Sequence, residues 1–132
     1  MRDLDDARYI LLTTYKKDGS PAATPVWITG SGGHYVFTTG DKAWKTIGLG
    51  RNPNVRVQVC GARGRVRPGT SAYDGTAQVN ASIDAIATAE RALAAKYGWQ
   101  FAATKLVDRF KARFGRGPAQ RVVAIELSIG DA

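Results

Sequence analysis

The sequence predicts a single, mainly β domain of the α+β class, with six antiparallel strands, one short helix and two longer helices. Three observations predict it: short stretches of alternating apolar and polar residues, glycine-containing turns between them, and segments with helical spacing in the second half. The 132 residues suffice for one buried core, and no linker or repeat divides them, so residues 1–132 are expected to form one domain. Closing the strands into a barrel-like sheet would remove exposed edges.

The first half of the chain predicts two consecutive hairpins. Residues 9–14 alternate and are rich in β-branched side chains, and the Asp18-Gly19 pair after them is typical of a hairpin turn. The second strand covers residues 22–29. The glycine-rich sequence at residues 30–33 predicts another tight turn, after which residues 34–38 form the third strand. These elements together predict an antiparallel meander.

The second half adds the helices and three more strands. Residues 43–49 have the spacing of one or two helical turns and are followed by Gly50-Arg51-Asn52-Pro53, which predicts a short crossover helix. The remaining predicted elements are strands over residues 55–60, 71–79 and 122–127 and helices over residues 84–97 and 103–114.

The composition excludes some classes of function but does not identify one. The formal net charge is +8, so the domain should attract anions such as nucleic acid, an anionic membrane or a phosphorylated small molecule. A single histidine, His34, and a single cysteine, Cys60, argue against a protein metal site and a Ser-His-Asp hydrolase. The polar first residues contain no secretory apolar stretch and no apolar run reaches membrane-spanning length, so a cytoplasmic protein without a membrane partner is expected.

The junction after the third strand is the strongest candidate site. A strand ends there, a turn follows and a helix begins, and the free amides of a helix start attract phosphate. Threonine hydroxyls and lysine ammonium groups add donors, and the four residues that supply them are Thr38, Thr39, Lys42 and Lys45. The alternative is an ordinary helix cap by Asp41 with two solvated lysines. The residues alone leave both interpretations open.

Arginines and tryptophans provide further candidates. Arg63, Arg65 and Arg67 alternate along a loop over residues 61–69, where they would bind a polyanion or simply be solvated. Trp27 lies on the second strand and would contact a planar ligand or fill the core. The sequence does not choose between these alternatives.

Several short sequences form a recognisable set. They are Tyr9-Ile10-Leu11-Leu12-Thr13-Thr14, Lys17-Asp18-Gly19-Ser20-Pro21, Thr24-Pro25-Val26-Trp27, Phe37-Thr38-Thr39 with Lys45, and Arg51-Asn52-Pro53-Asn54-Val55. In them the chain resembles the pyridoxamine 5'-phosphate oxidase-like, FMN-binding split β-barrel superfamily, and within it the short proteins classed as probable F420-dependent oxidoreductases. The resemblance covers residues 7–79 well and the last strand loosely. It implies a six-stranded split barrel that forms a homodimer, with two cofactors in grooves between the subunits.

The resemblance also implies a cofactor site. Ring contacts of the superfamily fall on residues 23–28, and the cofactor-binding residues implied are Thr24, Pro25, Val26, Trp27, Thr38, Thr39, Lys42, Lys45 and Thr70. Lys45 corresponds to the phosphate lysine, with Lys42 beside it. Thr70 corresponds to a contact made from the partner chain. No side chain is implied as a catalytic residue.

Two departures from the superfamily bear on the cofactor. Pyridoxamine phosphate oxidases have an arginine where this chain has Ala23 and extend further than Ala132, so pyridoxal phosphate synthesis is not expected. The deazaflavin coenzyme F420 carries a phosphate and an acidic tail, which suit a basic chain better than FMN does. The expected function is therefore hydride transfer between reduced F420 and a small organic acceptor.

Three alternatives stay open beside that function. The first is an FMN-binding oxidoreductase, and the second is a non-catalytic module that binds a cofactor. The third, a nucleic-acid-binding module, is disfavoured because the chain has no RNP-like, zinc-finger or helix-turn-helix signature.

Overall fold

The strands and helices follow most of the predicted boundaries. The computed structural model describes residues 2–40, 44–98 and 121–130. The elements are, in chain order, α1 (Arg2–Asp6), β1 (Tyr9–Tyr15), β2 (Pro21–Val26), β3 (Thr29–Ser31), β4 (His34–Gly40), α2 (Trp44–Arg51), β5 (Asn54–Cys60), β6 (Tyr73–Asn80), α3 (Ile83–Tyr97) and β7 (Val122–Ile129). The predicted helix over residues 103–114 lies outside the described residues.

All seven strands belong to one antiparallel sheet with the order β2-β1-β5-β6-β7-β4-β3. Its two edge strands, β2 and β3, are joined by only Trp27 and Ile28. The three Cα–Cα steps from Val26 to Thr29 span at most about 11 Å. A flat sheet of seven strands would separate its edges by about 29 Å. The sheet is therefore curled into a half-barrel whose edges converge at this bend.

The prediction of six strands was wrong, because the stretch predicted as one strand over residues 22–29 is two. Its first part, β2, pairs with β1 on one edge, and its second part, β3, pairs with β4 on the other. The meander is therefore interrupted at the Trp27–Ile28 bend. Four consecutive apolar residues, Pro25 to Ile28, run through the bend without a turn residue, so the local sequence does not reveal the change of partner strand.

The core fills the concave side of the sheet. Side chains of alternate residues on β1, β4, β5 and β7 meet there, including the fully buried Ile10, Leu12 and Ile125. α1 adds the buried Leu4 to this core. Two hydrogen bonds hold α1 in place: Tyr35 Oη donates to Asp5 Oδ1 at 2.6 Å, and Tyr73 Oη donates to Asp3 Oδ1 at 3.1 Å.

α3 packs on the sheet at the opposite, convex face. It contacts β3, β4 and β7 through its buried residues Ala89, Leu93 and Tyr97, which are separate from the core cluster. Its start is capped by Ser82, whose Oγ accepts a hydrogen bond from the Ala85 amide at 3.1 Å. Its end is closed by Gly98, which has a φ of 61°. Tyr97, the last residue of α3, thereby lies at the bend between β2 and β3.

Candidate functional site

The Trp27–Ile28 bend leaves an opening between β2 and β4. The β3–β4 pairing ends where Thr29 lies opposite Val36, two residues after Trp27 in the chain and two residues before Thr38 on β4. On the other side of the bend, β2 pairs with β1 and not with β4. The segment predicted to contact the cofactor ring (residues 23–28) and the strand end predicted to bind its phosphate (Thr38 and Thr39) therefore lie on the two sides of this opening.

The residues of β2 alternate between the two faces of the sheet. Val26 lies opposite Ile10 in the core and is 9% exposed, and Thr24 lies opposite Leu12 on the same face. Pro25 lies opposite Leu11, on the convex face. A ligand on the convex face would therefore meet the side chain of Pro25 but only the backbone of Thr24 and Val26.

Trp27 belongs to an aromatic cluster at the bend. Its ring stacks on Tyr97 with centroids 4.6 Å apart and an interplanar angle of 11°, and Tyr9 lies edge-on at 6.2 Å. The indole is half-buried. One face of the Trp27 ring is therefore covered by the protein itself.

The predicted phosphate end lies between β4 and α2. Thr38 and Thr39 are partly exposed near the end of β4. Buried Thr46 donates its Oγ1 hydrogen bond to the Gly40 carbonyl at 2.8 Å, which fixes the first turn of α2 against the end of that strand. Lys45 lies in this first turn, but its side chain, like all of Lys42, is outside the described residues.

The arginine-rich loop is an ordered turn, which we name the arginine hairpin (residues 60–67). Cys60 and Val66 form a β-bridge, and the Gly61 amide donates to the Arg65 carbonyl at 3.0 Å. A Cβ atom built on Gly64 would lie 3.5 Å from Leu11 Cδ1 and 3.6 Å from Pro25 Cδ. The hairpin therefore lies over β1 and β2, beside the predicted ring segment, and its three arginines are exposed: Arg63, Arg65 and Arg67.

Thr70 lies on the same face of the sheet. Gln58 Nε2 donates to the Thr70 carbonyl at 2.9 Å and to Thr70 Oγ1 at 3.3 Å. Gln58 is opposite Leu11, which in turn is opposite Pro25. The fold therefore places Thr70 beside Gln58, which is two strand spacings, about 10 Å, from Pro25 along the sheet.

Cys60 does not have the surroundings of a reactive thiol. It is 2% exposed at the end of β5, and burial raises the pKa of its thiol, while the charge of Arg67 acts in the opposite direction. A raised pKa keeps the thiol protonated, and the thiolate is the nucleophile. Cys60 therefore acts as a small buried residue.

Two kinds of feature are absent from the part of the chain that the structure describes. Within residues 2–40, 44–98 and 121–130, no three His, Cys, Asp or Glu side chains come close enough together to hold a metal ion. In the same ranges, no helix has both the length and the apolar character needed to cross a membrane.

A larger groove, missed by the sequence analysis, lies on the convex face of β4, β6 and β7. It has a volume of about 720 Å³ and is lined by His34, Val36, Gln78, Ala92, Glu126 and Ser128, among others. Its described lining includes none of the predicted cofactor contacts. The sequence signal for this groove is a run of polar residues that face outward on β6 and β7. Without knowledge of the strand pairing, such a run is interpreted as ordinary solvated surface.

Comparisons with known proteins agree on the fold. Residues 1–127 match the family described as pyridoxamine 5'-phosphate oxidase. No curated protein sequence matches the chain significantly. Three of the similar solved structures differ in what they are reported to bind, and at these identities they show the fold alone.

The first is an F420 reductase, with a TM-score of 0.63 and 18% identity, covering 98% of this chain and 92% of its own. The second is an FAD-binding protein from Mesorhizobium loti, with a TM-score of 0.62 and 21% identity, covering 98% of this chain and 84% of its own. The third is the heme storage protein HutZ from Vibrio cholerae, with a TM-score of 0.68 and 11% identity, covering 96% of this chain and 84% of its own.

Proposed function

Because the chain belongs to the pyridoxamine 5'-phosphate oxidase family, we propose that it is a cytoplasmic F420-dependent oxidoreductase that transfers a hydride between reduced F420 and a small organic acceptor. The solved F420 reductase of the same fold supports a deazaflavin, and the FAD-binding protein supports a flavin as the alternative. FMN is the second candidate cofactor. One observation favours F420 over FMN, and it is the position of the arginine hairpin.

The arginine hairpin fits a cofactor with more than one negative group. Gly64 at its turn lies against Leu11 and Pro25, so the three exposed arginines stand beside the proposed ring segment. F420 has an acidic tail in addition to its phosphate, whereas FMN has only the phosphate. Three guanidinium groups close to the proposed site raise its positive potential because their potentials add, which favours the cofactor that carries more negative groups.

The proposed phosphate contacts are Thr38, Thr39, Lys42 and Lys45. The bond from Thr46 to Gly40 holds the start of α2 against the end of β4, so amides at the helix start and threonine hydroxyls are available to one phosphate. Lys45 is in the first turn of the same helix. Its ammonium group would supply the formal charge.

When bound, the deazaflavin supplies the hydride at a ring carbon. The chain's own residues would hold and orient the ring: Pro25 and the backbone of Thr24 and Val26 along one edge, and Trp27 at the bend. The buried, protonated Cys60 thiol is not a nucleophile for such a reaction. Positioning is therefore the protein's main contribution.

We also propose that the working unit is a homodimer, with Thr70 of one subunit completing the groove of the other. Light scattering on a size-exclusion column should give twice the chain mass of 14.2 kDa. A monomer that binds the cofactor with full affinity would contradict the shared groove.

Cofactor titration of the wild type and of Lys45→Ala tests the proposal. Quenching of coenzyme fluorescence gives the dissociation constants of F420 and FMN. Losing a charged donor to phosphate should cost about 1.5 to 3 kcal/mol, or roughly 10- to 150-fold in affinity. Lys17→Ala is the matched control, because Lys17 is exposed in the turn at the far end of β2 from Trp27. Absent binding by the wild type, or equal binding by all three proteins, would disprove the site.

The choice of cofactor is tested by a double substitution, Arg63→Ala with Arg65→Ala. It should weaken F420 binding more than FMN binding, since F420 carries more negative groups and depends more on the positive potential of the hairpin. An equal effect on the two would refute the role given to the hairpin. If nucleic acid were the real ligand, binding would instead fall steeply with salt and tolerate many sequences.

A further inference from the structure

Three segments of the chain meet at one buried hydroxyl. Tyr97 Oη accepts a hydrogen bond from the Ile28 amide at 3.1 Å and lies 2.8 Å from each of two carbonyl oxygens, those of Arg8 and Ile28. Tyr97 is 5% exposed. The hydroxyl therefore connects the end of α3 to the start of β1 and to the bend between β2 and β3.

Counting donors shows how these groups are satisfied. A tyrosine hydroxyl carries one proton and so donates to only one of the two carbonyls. Lys96 Nζ lies 2.8 Å from the Ile28 carbonyl and donates to it. With Tyr97 donating to Arg8, all three backbone groups are satisfied at once: the Arg8 carbonyl, the Ile28 carbonyl and the Ile28 amide. The last two residues of α3 therefore bind both backbone polar groups of Ile28.

The ring of Tyr97 fixes the neighbouring residue as well. Trp27 stacks on it at 4.6 Å, and the Lys96 ammonium lies 5.4 Å from its centroid. Stacking of this kind contributes about 0.5 to 1.5 kcal/mol beyond simple burial. Both residues of the bend are therefore held by one side chain of α3, Trp27 by its ring and Ile28 by its hydroxyl.

We propose that Tyr97 is a positioning residue for the cofactor site: it sets the angle of the Trp27–Ile28 bend and so the width of the opening between β2 and β4. The proposal rests on the proposed function, in which Trp27 and β2 flank the ring. It assigns α3 a role that neither the fold nor the proposed contacts require. Tyr97 acts through Trp27 and Ile28 and does not touch the cofactor itself.

The test separates the hydroxyl from the ring. Tyr97→Phe keeps the stacking surface and removes the hydrogen bonds. Amide hydrogen exchange, which needs no ligand, should show the Ile28 amide exchanging at least about tenfold faster, after correction for any change in global stability. F420 and FMN titrations should show an affinity about tenfold weaker for whichever cofactor the wild type binds.

Tyr35→Phe is the matched control. Tyr35 is equally buried and also loses one hydrogen bond, but its hydroxyl donates to Asp5 of α1 and not to the bend. It should leave Ile28 exchange and cofactor affinity unchanged. If Tyr97→Phe fails to fold, Lys96→Met serves instead. It removes the donor to the Ile28 carbonyl and the cation beside the Tyr97 ring, so it should ease the local opening that exposes the Ile28 amide and accelerate its exchange.

The outcomes distinguish this proposal from the one it rests on. If the wild type binds neither cofactor, the proposed function fails, while the exchange measurement still decides whether Tyr97 holds the bend. If Ile28 exchange is the same in Tyr97→Phe as in Tyr35→Phe, the positioning role is wrong. Faster Ile28 exchange with undiminished affinity in a binding-competent protein would also overturn it, since the bend would then not control the site.

Discussion

Two tyrosine hydroxyls hold the first helix, α1, against the sheet. Tyr35 of β4 and Tyr73 of β6 each donate to an aspartate of α1, at 2.6 and 3.1 Å respectively. Tyr35 is 4% exposed, so its hydroxyl has little access to water if Asp5 is removed. A five-residue helix has little stability of its own. These contacts and the burial of Leu4 therefore keep α1 in place.

Removing the acceptor should destabilise the protein more than removing both partners. We expect Asp5→Ala to lower the free energy of unfolding by about 1 to 3 kcal/mol, because the buried Tyr35 hydroxyl loses its partner. Adding Tyr35→Phe should recover part of that loss. Urea denaturation of the two single variants and the double variant measures the coupling. Asp6→Ala, on the exposed side of α1, is the control, and an equal loss there would show that only helix charge matters.

At the scale of elements, the β3–β4 hairpin has a loop of only two residues. Ser31 lies opposite His34, so only Gly32 and Gly33 form its loop. Gly30, one residue earlier, has a φ of +134°. A Cβ atom on Gly30 would overlap the backbone carbonyl of His34. Glycine is therefore required at position 30 both by the backbone angle and by the neighbouring strand.

Two glycine substitutions should have opposite effects. Gly30→Ala should destabilise by about 1 to 3 kcal/mol or more, since strain and overlap add. Gly50→Ala lies in α2, where nothing is within 4 Å of the new methyl group, and should stabilise by about 0.5 to 1 kcal/mol. Thermal melts of both variants beside the wild type decide the matter. A Gly30→Ala protein as stable as Gly50→Ala would contradict the hairpin geometry.

At the scale of the whole molecule, two buried tyrosines make stability depend on alkaline pH. Burial raises the pKa of Tyr35 and of Tyr97 to about 12, from an ordinary value of 10.0. In the unfolded chain these hydroxyls ionise near pH 10, whereas in the folded protein they keep their protons until about pH 12. Their stabilising contribution is therefore complete below pH 10 and is lost as the pH rises toward 12.

Denaturation measured between pH 8 and 12 should show this loss. We expect the free energy of unfolding to fall by on the order of 2 kcal/mol for each tyrosine between pH 10 and 12. The double variant Tyr35→Phe with Tyr97→Phe should show a flatter profile. Burial lowers the pKa of Lys96, so its contribution runs in the opposite sense and should be subtracted with Lys96→Met. A profile as steep in the double variant as in the wild type would assign the loss to other groups.

The sequence predicted elements well because periodicity is local. Alternation located β1 and β5, and helical spacing located α2, since each pattern is complete within a few residues. Neither pattern predicted the break at Trp27 and Ile28, because the break arises from pairing with β1 on one side and with β4 on the other. Pairing between strands that are far apart in the sequence produces no pattern in the residues next to the bend.

The same difference between local patterns and long-range contacts applies to the candidate site. Thr38 and Lys45 were identifiable because a strand end and a helix start adjoin in the sequence. The contact of Gly64 with Pro25 was not, since 39 positions separate them and the register alone brings them together. Tyr97 was likewise only the last residue of the helix predicted over residues 84–97, and only the fold reveals its hydrogen bonds to Ile28.

Pro25 has one more consequence, which concerns association between sheets. It lies on β2, an edge strand that also begins with Pro21, and the opposite edge, β3, has only three residues. Proline has no amide hydrogen to offer an incoming strand, and three residues are too few to template one. Both open edges of the half-barrel thus resist the addition of further strands. The β2 residue that contacts the arginine hairpin also protects the protein against edge-to-edge aggregation.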